Sequence, residues 1–99
     1  MHDGVTIFLS PELAKDLLLH KEEIVWHHHG MEARVSGTVV VGIEISKNGD
    51  TLRPVIISGP LMLQQETLDA VKQYKYKPCL LNGKPQTVAT ILSIAVSNY

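Results

Sequence analysis

Three consecutive histidines, His27, His28 and His29, are the residues whose type most directly suggests chemistry, because imidazole nitrogen is a common metal ligand. Neighbouring side chains on a helix diverge by about 100°, and on a strand only alternate side chains share a face. No further histidine, cysteine or acidic pair stands at a ligand spacing from this run. We therefore predict neither a metal site nor a cofactor.

Two other features suggest catalysis only weakly. Cys79, the single cysteine, follows Pro78, and the sequence shows no partner that would act as its base, so a structural thiol is the better interpretation. Glu22 and Glu23 are adjacent, so their carboxylates point apart and are typical of a solvated turn rather than of an acid–base pair. We predict that the chain is not an enzyme.

The composition limits the classes of protein that remain. The chain has 99 residues, of which 44% are hydrophobic and 19% are charged, which is typical of one folded domain. Its formal net charge of -1 argues against a dedicated nucleic-acid binder, so we predict no nucleic-acid partner. A single cysteine also excludes a disulfide framework within the chain.

The N-terminal third predicts one short helix. Val5–Leu9 has strand character, although five residues cannot decide between strand and loop. Ser10 is a favourable N-cap, and Pro11 suits the first helical position, so a helix should begin there and run to about His20. Its apolar stripe would consist of Leu13, Ala14, Leu17 and Leu18.

The middle of the chain predicts a hairpin. Apolar residues alternate from Val39 to Ile45, which indicates a strand with one buried face. Asn48-Gly49 is typical of a two-residue type I′ turn. Pro54 cannot donate to a ladder, so the second strand should lie at a sheet edge. The turn predicts the cross-strand pairs Ile45–Leu52, Ile43–Pro54 and Val41–Ile56.

The last third predicts a helix, a turn and a long strand. Helical spacing over Leu61–Tyr74 predicts a buried stripe, and Asn82-Gly83 predicts a second turn. In the final strand, Thr87–Ser97, apolar residues share one face and Thr90 is the polar exception. The stripe of the helix would consist of Leu61, Gln64, Leu68, Val71 and Tyr74, and the strand face of Val88, Leu92, Ile94 and Val96.

These elements predict an α+β fold of two layers. A three-stranded antiparallel sheet should carry helices on one face, with an N-terminal helical extension beside it. The Pro54 strand would lie at one edge of the sheet and Thr87–Ser97 at the other, where its outer side would be free. The three strands would be Val35–Ser46, Thr51–Ile57 and Thr87–Ser97.

Several segments together resemble a known family. They are Gly37–Val41, Lys47–Asp50, Val55–Pro60, Leu68–Pro78 and Leu81–Pro85. In order and spacing they resemble the C-terminal domain of TonB-type energy transducers, over about Leu17 to Val96. The resemblance implies a TonB/TolA C-terminal-like domain at residues 35–99, with residues 1–34 as an extension packed on it. The family usually places prolines around an aromatic residue before the first strand; here Trp26 keeps the aromatic and both prolines are absent.

What this resemblance implies is a periplasmic domain without catalysis. Such a domain binds the TonB-box peptide of an outer-membrane transporter, and a motor of ExbB and ExbD type energises it through an inner-membrane anchor that these residues do not include. The peptide adds a strand to the last strand of the domain. The implied backbone site is Val88, Ala89, Thr90, Ile91, Leu92, Ser93 and Ile94. Val25 and Trp26 are a candidate second contact, and two roles stay open for Trp26, the single tryptophan: it either plugs the end of the sheet or lies in a partner groove.

Three further interpretations stay open at this point. The least favoured is a small enzyme or metal protein built around His27, His28 and His29. The same module could serve as a peptide-interaction or sensing domain of a different larger protein. An unpaired edge strand is also a template for another chain, so a homodimer is a further expectation.

Overall fold

The computed structural model describes residues 7–26 and 35–97. Within them the chain forms eight strands and two helices. In chain order these are β1 (Ile7–Phe8), α1 (Pro11–Leu17), β2 (Leu18–His20), β3 (Ser36–Ile45), β4 (Thr51–Ser58), α2 (Leu61–Val71), β5 (Lys75–Tyr76), β6 (Cys79–Leu81), β7 (Lys84–Gln86) and β8 (Val88–Ser97). No helix in these two stretches is long and apolar enough to cross a membrane.

The main sheet has four strands in the order β1-β8-β3-β4. β3 pairs antiparallel with β8 along its whole length, from Ser36 opposite Ser97 to Ile45 opposite Val88, without a register shift. β4, which contains Pro54, lies at one edge, as predicted. The prediction of three antiparallel strands is wrong in one respect, because β1 adds a parallel strand beyond β8. Its two residues are too few to show a period, and a contact distant in sequence determines their pairing.

One face of the sheet and one side of α2 form the core. The predicted alternation in β3 is confirmed, because Val39, Val41, Ile43 and Ile45 are buried. On β8, Thr90 lies on this same face, opposite Ile43. The buried cluster consists of Val39, Val41, Ile43, Ile45, Leu63, Val71, Tyr74, Tyr76, Val88 and Val96. The core therefore lies between α2 and the central strands.

The turn between β3 and β4 has one residue more than predicted. The Ser46 amide donates to the Asp50 carbonyl (2.9 Å), and the Gly49 amide donates to the Ser46 carbonyl (2.9 Å). Three residues, 47–49, thus form the loop, and within it only Gly49 has a positive φ, of 88°. This is a type I turn followed by a left-handed glycine, the common three-residue alternative to the type I′ turn.

The extra loop residue shifts the register near the turn. Of the three predicted pairs, Ile45–Leu52 and Ile43–Pro54 are wrong: Ile45 lies opposite Thr51, and Ile43 has no partner in this ladder. Arg53, with a φ of 48°, lies at an irregularity where β4 gains one residue. The gain restores the register, so the predicted pair Val41–Ile56 is confirmed.

The predicted buried face of α2 is partly wrong. Leu61 is 82% exposed and Leu68 only half-buried, whereas Leu63 is fully buried. Thr67 is also buried, because its hydroxyl donates to the Leu63 carbonyl (2.6 Å) and so needs no water. The observed stripe is Leu63, Thr67, Ala70 and Val71, followed by Tyr74. The helix also ends at Val71 rather than at Tyr74.

α1 begins as predicted, but it ends earlier. The Ser10 hydroxyl accepts from the Leu13 amide (3.3 Å), and Pro11 occupies the first turn. The predicted continuation to His20 is wrong, because residues 18–20 form β2 and pair antiparallel with β5. The Lys77 amide donates to the Leu17 carbonyl (2.7 Å), which extends this contact. Pairing with β5 thus overrides the helical pattern of the leucines.

The second predicted turn is confirmed. β6 and β7 pair antiparallel around Asn82-Gly83, and both turn residues have positive φ, of 53° and 79°. Such a pair of values is typical of the type I′ turn that the asparagine–glycine dipeptide favours. Most of this hairpin is exposed to solvent.

The buried hydroxyl of Tyr76 should lower the free energy of unfolding at high pH. Its hydroxyl is buried without a partner among the described residues, and burial, with a smaller effect of Tyr74, raises its pKa to about 12. A tyrosine whose pKa in the folded protein exceeds its unfolded value contributes stability below pH 10 that is lost as pH rises through 12. Urea titrations should show wild type losing about 2–3 kcal/mol more than Tyr76→Phe over this range.

Near neutral pH the same substitution should have little effect. Tyr76→Phe removes a hydroxyl that has no described partner, so it should be neutral or slightly stabilising. A loss above about 1 kcal/mol at pH 7 would show that the hydroxyl is hydrogen-bonded after all.

Candidate functional site

The outer side of β8 is the candidate site, and it is closed at its beginning. β1 runs parallel to β8 there, with Ile7 opposite Val88 and Phe8 opposite Ala89. The prediction that the whole of Thr87–Ser97 lies at a free edge is therefore wrong at Val88 and Ala89. From Ile91 onward, no strand of the described residues pairs with the outer side of β8.

The backbone groups that face outward can be assigned along β8. The Leu9 amide donates to the Ala89 carbonyl (2.8 Å), so Ala89 turns its amide and carbonyl toward β1. In an antiparallel strand these groups alternate between its two neighbours, and the register with β3 has no shift. The residues that face outward beyond Ala89 are therefore Ile91, Ser93, Ala95 and Ser97, whereas Leu92, Ile94 and Val96 bond to β3.

Two grooves lie along this open part of the edge. The first has a volume of about 520 Å³ and runs between residues 91–95 and the N-terminal segment. The second, of about 440 Å³, runs between residues 94–97 and residues 21–26. Tyr74 and Lys21 line both grooves. The remaining lining residues from the N-terminal segment are Pro11, Glu12, Lys15 and Leu18 in the first groove and Glu22, Glu23, Ile24 and Trp26 in the second.

The predicted site residues fall into three groups. Val88, Ala89 and Thr90 lie where β1 closes the edge, and the Thr90 hydroxyl donates to the Leu9 carbonyl (2.8 Å). Residues 91–94 line the first groove. Trp26 is half-buried, packs against the core and lines the second groove, whereas Val25 is 61% exposed and lines neither.

Sequence reasoning missed the groove walls. Lys15 and Leu18 come from α1 and β2, and Tyr74 comes from the short connection between α2 and β5. Nothing in their local pattern distinguishes them from ordinary surface or core residues, because contacts distant in sequence, namely the pairing of β1 with β8 and of β2 with β5, bring these segments together.

Backbone hydrogen-bonding groups, apolar side chains and the charged side chains of Glu12, Lys15, Lys21, Glu22 and Glu23 are what the grooves present. Within residues 7–26 and 35–97, no group of three His, Cys, Asp or Glu side chains is placed to hold a metal ion. The prediction about His27, His28 and His29 lies outside the described residues. Cys79 is a half-buried free thiol on β6, away from both grooves.

Comparison with known proteins identifies the family of this domain. The family model described as the C-terminal part of the Gram-negative bacterial TonB protein matches residues 29–95, which is about two thirds of the chain. No curated protein and no solved structure gives a significant match. The match spans β3, β4, α2 and most of β8. The chain therefore belongs to the TonB C-terminal domain family, which consists of periplasmic interaction domains of Gram-negative bacteria.

Proposed function

We propose that this domain binds the TonB-box peptide of an outer-membrane transporter by adding it as a strand along β8. The observation that carries the proposal is the open stretch from Ile91 to Ser97. Its residues line the two grooves, and no strand of the described residues pairs with their outward amides and carbonyls. An exposed row of such groups is a template for an incoming strand.

Backbone pairing suits the proposed role. Each hydrogen bond in the added ladder is worth about 0.5–1.5 kcal/mol net, and several are formed together. The domain's contribution comes from groups that every residue carries, so one domain can serve receptors whose peptides differ in sequence. Bonds between parallel or antiparallel strands also share a load applied along the strand. In this proposal an ExbB/ExbD-type motor at the inner membrane supplies that load through an upstream anchor.

Ser93 allows a test that separates backbone from side chain. Its amide points outward, so Ser93→Pro removes a donor and places the proline ring at the open edge while the bonds to β3 remain. We expect calorimetric titration with a synthetic TonB-box peptide to show binding at least tenfold weaker than wild type. Ser93→Ala keeps the amide and should bind within twofold of wild type.

Three controls make this test interpretable. Circular dichroism and urea unfolding should show that both Ser93 variants fold. Sedimentation should show that the wild type and both variants are monomers under the titration conditions. A second copy paired at the open edge would compete with the peptide. Ile94→Pro, whose amide bonds to β3, should unfold the domain and so verify the assigned direction of the amides. A folded Ser93→Pro variant with unchanged affinity would refute strand addition at β8.

A further inference from the structure

We infer that the N-terminal segment from Ile7 to Lys21 forms part of the peptide-binding site. In this inference β1 stops the incoming strand at Ile91, and α1 forms the second wall of its slot. The inference rests on the proposed function, because it concerns how the same edge receives its peptide. The segment precedes residues 29–95, so the family match does not cover it.

Two hydrogen bonds hold the stop in place. The Leu9 amide donates to the Ala89 carbonyl (2.8 Å), and the Thr90 hydroxyl donates to the Leu9 carbonyl (2.8 Å). Thr90 is only 2% exposed, so its hydroxyl is used for this contact rather than for solvent. This contact explains why a polar residue stands on the core face of β8. The outward groups of Ala89 are thereby occupied before any peptide arrives.

The chain leaves the edge immediately after this contact. Ser10 caps α1, and Pro11 and Glu12 in its first turn line the groove beside residues 91–95. Ala14 is fully buried, which fixes α1 against the body of the domain. The slot therefore begins where β1 ends, and its wall is anchored to the core.

The slot defines the class of ligand it accepts. Residues 91–97 span about 23 Å, so an extended peptide of about seven residues fills the open edge. Every second side chain of that peptide would enter the groove, because side chains alternate along a strand. Leu18, Tyr74, Leu92 and Ile94 give the groove apolar lining. We therefore assign the slot to an extended peptide with apolar side chains at alternate positions.

Thr90 gives a matched pair of variants that tests the stop. Thr90→Val has nearly the same shape but loses the hydroxyl, whereas Thr90→Ser keeps it. Hydrogen exchange followed by NMR should show the Leu9 amide exchanging at least tenfold faster in Thr90→Val than in Thr90→Ser. If Thr90→Val fails to fold, Leu9→Pro removes the amide that bonds to Ala89, and faster exchange of the Ala89 amide, which faces β1, then serves as the readout.

The peptide footprint then distinguishes the two proposals. In wild type, a TonB-box peptide should shift the NMR signals of the Ile91, Ser93 and Ala95 amides and leave Ala89 unchanged. In Thr90→Val or Leu9→Pro the footprint should extend to Ala89. A footprint that includes Ala89 in wild type, or one unchanged when β1 is released, would overturn the stop while leaving strand addition intact. Absence of any shift between Ile91 and Ser97 would instead refute the proposed function.

A second pair of variants tests the wall. Lys15 is exposed and lines the first groove, whereas Asp16, the next residue of α1, is exposed and does not. Lys15→Trp should fill the groove and weaken peptide binding at least fivefold, and Asp16→Trp should stay within twofold of wild type. An effect of Lys15→Trp below fivefold, or equal effects of the two variants, would show that α1 does not contact the peptide.

Discussion

Leu63→Ala should lower the free energy of unfolding by about 3–5 kcal/mol, the upper range for buried leucines. Leu63 is fully buried on α2 and belongs to the cluster that joins this helix to the sheet. Truncation leaves a cavity lined by core side chains, which cannot collapse fully. Urea unfolding monitored by circular dichroism measures the loss, which is a large part of a typical domain stability of about 5–15 kcal/mol.

Leu61→Ala provides the matched control on the same helix. Leu61 is 82% exposed, so its truncation should change the free energy of unfolding by less than about 0.5 kcal/mol. Leu68→Ala should fall between the two, because Leu68 is half-buried. Equal losses for Leu61→Ala and Leu63→Ala would mean that α2 presents a different face to the sheet.

Gly49→Ala should destabilise the domain by about 3 kcal/mol or more. A Cβ at this position would overlap the Tyr76 carbonyl oxygen, and the φ of 88° is unfavourable for alanine. The close contact between the turn and β5 also includes a hydrogen bond, in which the Tyr76 amide donates to the Gly49 carbonyl (2.9 Å). The substitution therefore forces the β3–β4 turn away from β5. Thermal and urea unfolding measure the effect.

Gly83→Ala is the control that separates the cost of a positive φ from the cost of a steric clash. Its φ of 79° is nearly that of Gly49, but nothing lies within 4 Å of a Cβ built there. Gly83→Ala should therefore cost only the conformational penalty, about 1–2 kcal/mol. If the two alanine variants lose equal stability, the close packing of the turn on β5 makes no contribution.

The sequence predicts the central elements well because their signals are local. Apolar residues alternate in β3 because one face of the strand is buried. The Ser10 hydroxyl caps α1 by accepting from the amide of Leu13, only three residues away. The face of α2 was harder to predict, because Thr67 counts as polar although its hydroxyl bonds within the helix. The shifted hairpin register follows from a choice between two turns that the same Asn-Gly dipeptide permits.

The candidate site could be predicted only in outline. The final strand and its core face were identifiable from alternation, but the closure of its first residues by β1 was not. A strand of two residues carries no period, and its place depends on a partner more than 80 residues away. The groove walls depend in the same way on the pairing of β2 with β5.

The contact between Leu9 and Thr90 also has a consequence for how the chain folds. These residues are 81 positions apart, so joining them closes a loop that contains most of the domain. Among the described elements β8 comes after all the others in the chain, so neither β1 nor the free side of β3 can pair with it until it has been synthesised. The hairpin of β3 and β4 and the helix α2 can form earlier from nearby residues. We therefore expect assembly of the sheet to finish with β8, the strand to which the proposed peptide would add, so one side of β3 is open to aggregation until β8 has been synthesised.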